Sequence, residues 1–343
     1  MPTNLTSVHF FIFDDLSFKI TMTIVTVNIV AFVGTISIFG IASNVINILV
    51  FSEQGFSETT NISYTALACS DLLTLMSTLC LSIFWNPLFL NSGLPLVFTQ
   101  IQMAFAALPN ACFSSITGLV TAFTSFERCL CVVWPLKVKS ILTSTVTVIV
   151  IISFYLVMLL TMISVYSTFT LGWRPEPRTN RTLLGVIFVQ NTEIISNISY
   201  LLHSVIQLLA FCAVSVCTVT LVVCLRLKTA WRTQQAEAQN AAKKATKRQD
   251  KAIKMVIFIA AAYVVGQLPT VVSFAVTVPY PSFGPLGKYR NFFIVYWSFS
   301  VLFGVLKSSV NLLVYYVMSS KFRQTCNQML SLLLSSRIAN YNE

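Results

Sequence analysis

The chain has 343 residues, of which 56% are hydrophobic and only 10% charged, with a formal net charge of +11. A soluble globular chain carries about a quarter charged residues, so a water-soluble fold of this length cannot hide the apolar surface and the bilayer must be the solvent for much of it. The basic excess collects between apolar runs, with no basic stripe interleaved with aromatics, which excludes a nucleic-acid partner and reads as the loop bias that orients a membrane protein.

Residues 1–23 form an N-terminal segment bearing Asp14 and Asp15, and its apolar patch at 10–13 is too short for the core of a signal peptide. Seven apolar runs follow, at 24–51, 62–84, 97–133, 143–169, 197–227, 253–278 and 292–318. Each reaches the roughly 20 residues that cross a ~30 Å hydrocarbon core. The second and third carry polar residues, which places them inside a bundle rather than against lipid all round. In the tail, 319–343, the residues Phe322, Met329, Leu330, Leu333 and Leu334 give one apolar face among basic residues, as an interfacial helix needs. The expected fold class is an all-α membrane protein, a seven-transmembrane helix bundle with a short amphipathic C-terminal helix.

Eight of the nine cysteines fall in or at the ends of the apolar runs, without disulfide or metal-site spacing. Cys326 lies in the tail and is a palmitoylation candidate. Neither a metal nor a cofactor is expected.

Nine basic residues lie in 226–254, where span five gives way to span six, and Lys137, Lys139, Lys321, Arg323 and Arg337 lie on the same side. The opposite side holds Lys19, Arg174, Arg178, Arg181, Lys288 and Arg290. The positive-inside rule puts the N-terminus outside and the C-terminus in the cytoplasm. The glycosylation sequons at Asn4 and Asn180 then fall outside, and the one at Asn61 falls inside. No internal repeat, broken half-helix or filter loop marks a transporter or a channel.

Particular residues go further than the span count. Span three ends Glu127-Arg128-Cys129, with Pro135 seven residues after the arginine. Span two carries Leu67-Ala68-Cys69-Ser70-Asp71, span one Asn44, and span seven Asn311-Leu312-Leu313-Val314-Tyr315, with Phe322-Arg323 beyond it. In order and spacing these resemble the landmarks of the rhodopsin-like, class A G-protein-coupled receptors, over nearly the whole chain. The runs 126–130 and 315–323 are most similar in texture to invertebrate, especially molluscan, chemosensory and peptide-type receptors. The resemblance implies a plasma-membrane receptor, not an enzyme, that binds an extracellular small molecule or peptide and activates a heterotrimeric G protein. The alternative is a transporter-like or non-signalling multi-span membrane protein.

The same resemblance assigns residues. Glu127 holds the head of Arg128 at rest, and Arg128 is freed to meet the G protein. Pro135, Pro269, Asn311 and Tyr315 belong to the same switch. Gln249, with Asp250 beside it, stands where relatives place a glutamate that pairs with the arginine. Asn110, Ser114, Gln267, Thr270, Phe274, Trp297 and Val301 map to the candidate ligand pocket, with bundle packing as the alternative for each and the preferred reading for Phe274. Asn110 replaces the aspartate of amine receptors, which disfavours a biogenic amine. The basic outer loops read first as a solvated loop surface, and as a functional feature they would favour an anionic ligand.

Several landmarks are absent. Gln267 stands where the family has tryptophan two residues before Pro269, and Leu312 where it has a proline. Met103 occupies the place of the cysteine that staples span three to the second outer loop, and 170–196 contains no cysteine. That loop is expected to be more mobile than in relatives. The position of the retinal lysine of opsins is Val305. Lys307 is two residues on, turned by about 200°, so it is expected to point away from the ligand face. Relatives hold a sodium ion at the span-two aspartate. Here Asp71 and Lys307 are expected to form a buried ion pair in its place, with Thr117 and Asn311 adding hydrogen bonds.

Overall fold

The computed structural model describes residues 17–134, 138–176, 181–234, 240–285 and 287–341. Asn4, Pro135 and Asn180 lie outside the described residues, as does the side chain of Gln249.

Seven helices long and apolar enough to span a membrane are present: α1 (Phe18–Gln54), α2 (Thr59–Phe84), α3 (Phe98–Val133), α4 (Ser144–Tyr166), α5 (Glu193–Gln234, apolar over Glu193–Leu227), α6 (Asn240–Thr277) and α7 (Arg290–Met318). An eighth helix, α8 (Ser320–Tyr341), follows, and a two-stranded antiparallel hairpin, β1 (Phe169–Glu176) with β2 (Arg181–Phe188), joins α4 to α5. Helix α1 starts at Phe18 rather than 24, and α4 ends at Tyr166, with Phe169 already in β1.

Burial follows the polarity of each span. In α2 and α3, 56% of the most apolar window is buried, against 17% in α4 and α5. Helix α3 is central, touching α2, α4, α5 and α6. Helix α4 turns Ile149, Ile152, Leu156, Leu160 and Ile163 outward. Their three- and four-residue spacing makes one continuous apolar stripe, which suits lipid and would be a liability in water. Thr143 caps this helix by accepting from the Val146 N–H at 3.3 Å.

Three distortions break the regular ladder. Helices α1 and α3 contain π-helical segments, Val27–Val33 and Met103–Ala107, and one of these aims Asn28 at Ser298 of α7, 3.0 Å away. Helix α7 is interrupted at Val310 although Leu312 replaces the family's proline. Ser309 Oγ donates back to the Val305 carbonyl at 2.8 Å, and such back-bonding bends helices without proline.

The hairpin is the largest departure from expectation. In place of a loose loop, Gln100 of α3 holds it: Gln100 Oε1 accepts from Arg174 at 2.8 Å and from the Val186 N–H at 2.9 Å. The Val97 N–H donates to the Leu184 carbonyl at 2.9 Å, and the Leu184 N–H to the Pro95 carbonyl at 2.8 Å. A clamp of hydrogen bonds thus stands where the family has its disulfide. Gly185 is part of it, because a Cβ there would lie 2.6 Å from Gln100 Oε1. Gln100→Ala leaves a guanidinium and a backbone N–H without this acceptor, a loss of about 1–3 kcal/mol of local stability. The expected result is faster hydrogen exchange at the Val186 amide, and Gly185→Ala should reproduce it. Exchange unchanged in both would remove the clamp from the account.

Candidate functional site

Apolar spans tolerate polar side chains only where partners await them, so the buried polar residues trace the site. They run as a column along the inward faces of α1, α2, α3 and α7, from the hairpin end of the bundle to the end that carries Arg128.

At the Arg128 end, Arg128 bonds Glu127 at 3.1 Å, and the carboxylate is buried. The start of α2 completes the lock. Thr59 Oγ1 donates to Glu127 Oε1 at 2.5 Å, and Arg128 donates to Thr60 Oγ1. Arg128 Nε and Glu127 Oε2 are buried with no hydrogen-bond partner among the described residues, so the pair is held through one guanidinium nitrogen and one carboxylate oxygen only. Beneath it Phe51, Tyr64, Tyr315 and Phe322 pack with ring centroids 5.0–5.5 Å apart. Tyr315 is buried and its hydroxyl lacks a partner. Asp250 is half-buried on α6, and Pro269 lies inside that helix.

Cys326 belongs to this cluster. It is buried beside Phe322, and burial pushes its thiol above the usual cysteine range. Acylation of that sulfur would have to displace this packing, so the palmitoylation candidate requires Cys326 to leave the cluster.

Midway along the bundle, Asp71 is fully buried. Its Oδ1 accepts from Thr117 at 3.1 Å and Ser308 at 2.7 Å, and its Oδ2 from Asn311 at 2.8 Å. Asn44 braces α1 against α7 by donating to the Ser308 carbonyl at 2.9 Å. The expected direct pair with Lys307 is absent: no Lys307 ammonium contact to Asp71 falls within 4.0 Å. The ammonium turns instead to Gln267 Oε1 at 3.3 Å and Ser114 Oγ at 3.5 Å, over the Tyr263 ring at 4.9 Å. The cause is the rotation of α7. Its Lys307 stem lies against Gly266 of α6, where an added Cβ would come 2.5 Å from the lysine Cβ. Val305, by contrast, packs with Val25, Ile29, Val33 and Leu75 towards α1 and α2. Lys307 therefore faces the interior towards α3 and α6, turned away from Val305 as the spacing implies, but without the direct contact to Asp71. The residues do not fit a sodium ion, since both oxygens of Asp71 already accept hydrogen bonds and a lysine ammonium supplies the positive charge nearby.

Of the candidate pocket residues, the structure gathers Ser114 and Gln267 on Lys307. Asn110 instead ties α3 to α2, donating to Thr78 Oγ1 at 2.6 Å and to the Thr74 carbonyl at 3.2 Å. Trp297 and Val301 pack on the Val305 cluster, Trp297 6.4 Å from the Trp85 ring. Thr270 is half-buried, whereas Phe274 is 45% exposed, so neither pocket nor packing encloses it. A cavity of about 40 Å³ between α3, α4 and α5 adds Thr161, Ser199, Tyr200 and His203, and His203 Nε2 lies 3.2 Å from Ser115 Oγ. Sequence reasoning missed Thr59, Thr60, Gln100, Tyr263 and His203. The two threonines at the head of an apolar span were visible as a polar pair, while Gln100 and Tyr263 gave no signal before their neighbours were known.

The comparisons with known proteins agree with this geometry. The crystal structure of squid rhodopsin superposes with a TM-score of 0.64 over 94% of this chain and 89% of that one, at 16% identity, which is a likeness of fold. A search among curated proteins gives no match. The profile described as 7 transmembrane receptor (rhodopsin family) matches residues 42–315. That stretch contains Asn44, Asp71, Arg128, Asn311 and Tyr315, and the chain belongs to the rhodopsin family of seven-transmembrane receptors.

Proposed function

We propose that this multi-pass membrane protein is a plasma-membrane receptor. It takes an extracellular chemical or peptide at the hairpin end and activates a heterotrimeric G protein at the Arg128 end. The N-terminus is outside and the C-terminus in the cytoplasm. The observation that carries the proposal is the one-sided lock at the foot of α3. Arg128 is held by Glu127 and Thr60 with its Nε unpartnered, so a modest rearrangement releases it. Ligand binding shifts a pre-existing equilibrium towards the released state. The texture of 126–130 and 315–323 supports a chemosensory or peptide-type receptor. The test is a ligand screen in cells that carry a promiscuous G protein and a second-messenger reporter. A transporter-like protein would instead move solute through proteoliposomes and leave the reporter silent.

Gln249 stands where relatives place the glutamate that pairs with the arginine. A neutral amide bonds a guanidinium less strongly than a carboxylate does, which leaves the resting state dependent on Glu127 and the two threonines. Ligand-free signalling above background is expected, and Gln249→Glu should lower it several-fold. Basal output at background and indifferent to that substitution would contradict this.

A further inference from the structure

We infer that the Lys307 ammonium is an anion-binding site at the floor of the ligand cavity, and that the ligand carries a carboxylate or an equivalent anionic group seated on it. The inference rests on the receptor reading for the direction from which a ligand arrives. Its evidence is the state of the lysine.

Lys307 is buried, yet its ammonium reaches only two neutral oxygens, at 3.3 and 3.5 Å, and the face of the Tyr263 ring. Hydrogen bonds from an ammonium to an anionic oxygen run about 2.7–2.9 Å, so both contacts are long. An enclosed cation is ordinarily paired with an anion. Asp71 offsets this charge only through space: it makes no contact within 4.0 Å, and both its oxygens accept from Thr117, Ser308 and Asn311, so it takes none of the ammonium's hydrogen bonds.

There is also room beside the charge. Gly304 lies one turn towards the hairpin end. On the helical wheel it falls between Ser300, Lys307 and Ser308, all buried and facing the interior. A Cβ built on Gly304 would meet no atom within 4 Å. Gly304 therefore borders open space one turn from the lysine, while the tight contact at Gly266 fixes the lysine stem. Gln267 and Ser114 offer an amide N–H and a hydroxyl to the same anion once the amide is turned. Lys288 and Arg290 stand at the hairpin end and would draw an anion inward. A ligand amine would be repelled at this floor.

The probe is a series of phenylalkanoic acids of increasing chain length, each with its matched primary amide and primary amine. Purified full-length chain in lipid nanodiscs is unfolded thermally and followed by tryptophan fluorescence. At least one acid should stabilise the wild type saturably, with an apparent affinity on the order of tenfold above its amide, and the amine should give no shift. Lys307→Met should abolish the preference for the acid, and Lys307→Arg should keep it. Gln267→Leu and Ser114→Ala retain the ammonium and should each weaken acid binding, so the test survives misfolding of Lys307→Met. No acid bound above its amide, or an acid preference that persists in Lys307→Met, would overturn the site. Signalling plays no part in this readout. A receptor that signals to neutral ligands alone would overturn the anion site and leave the receptor proposal standing, and acid binding without any G-protein response would do the reverse.

Discussion

Arg128→Ala is expected to abolish ligand-driven and basal G-protein signalling while leaving surface expression close to wild type. The guanidinium sits at the end of α3, bonded to Glu127 at 3.1 Å and to Thr60, with its long stem along the helix. Alanine removes the charge that meets the partner but leaves the aromatic cluster of Phe51, Tyr64, Tyr315 and Phe322 in place, and that cluster holds the end of the bundle together. Truncation removes the ion partner of Glu127, but the carboxylate still accepts from Thr59 at 2.5 Å and can take water into the space the guanidinium leaves. The stability change should therefore be small beside the functional one. Thr60→Val tests the same lock from the other side: it removes one acceptor from Arg128 and should raise basal output. Full signalling from Arg128→Ala, measured by second messenger at matched surface expression, would remove Arg128 from the coupling mechanism.

The second large effect is expected at the midpoint of the bundle. Asp71→Asn places an amide where three donors converge at 2.7–3.1 Å. One of its two new N–H groups must face a hydroxyl or the Asn311 amide. The substitution also leaves Lys307 as an uncompensated buried cation. A loss of about 3 kcal/mol or more is expected, since stranding a buried charge exceeds the loss of an ordinary hydrogen bond. Lys307→Met strands the opposite charge. The two groups do not touch, so their coupling acts through space and should be about 0.5–3 kcal/mol, with the double variant recovering part of the loss. Thermal unfolding of the two single variants and the double variant in nanodiscs measures this. Simple additivity would show that the two charges are independent. Sodium at constant ionic strength should leave wild-type ligand affinity unchanged, because no free carboxylate oxygen awaits it.

The spans were legible because an apolar run long enough to cross a bilayer has no competing interpretation, and their order set the bundle. The Asp71–Asn311–Thr117 contacts and the Glu127–Arg128 pair were legible through resemblance, since these positions keep their polar residue types here. What failed had physical causes. The hairpin was hidden because its anchor is one glutamine oxygen serving Arg174 and Val186, a contact made between segments far apart in sequence. The bend at Val310 survives without proline because a serine hydroxyl can do the same work. The spacing of Lys307 and Val305 gives the angle between them but not which neighbours the lysine meets. The packing of Gly266 against the lysine stem decides that. In the sequence Cys326 is only a palmitoylation candidate, and its burial through the docking of α8 at Phe322 was not legible there.

The central claim is that this chain catalyses nucleotide exchange on a G protein through the foot of α3. The most direct measurement is GDP release from a purified heterotrimer added to nanodiscs, with and without the chain, before any ligand is known. The account predicts faster release with wild-type discs than with empty discs, and release at the empty-disc rate with Arg128→Ala discs. Equal rates in all three, across a panel of heterotrimers of different α-subunit classes, would contradict it.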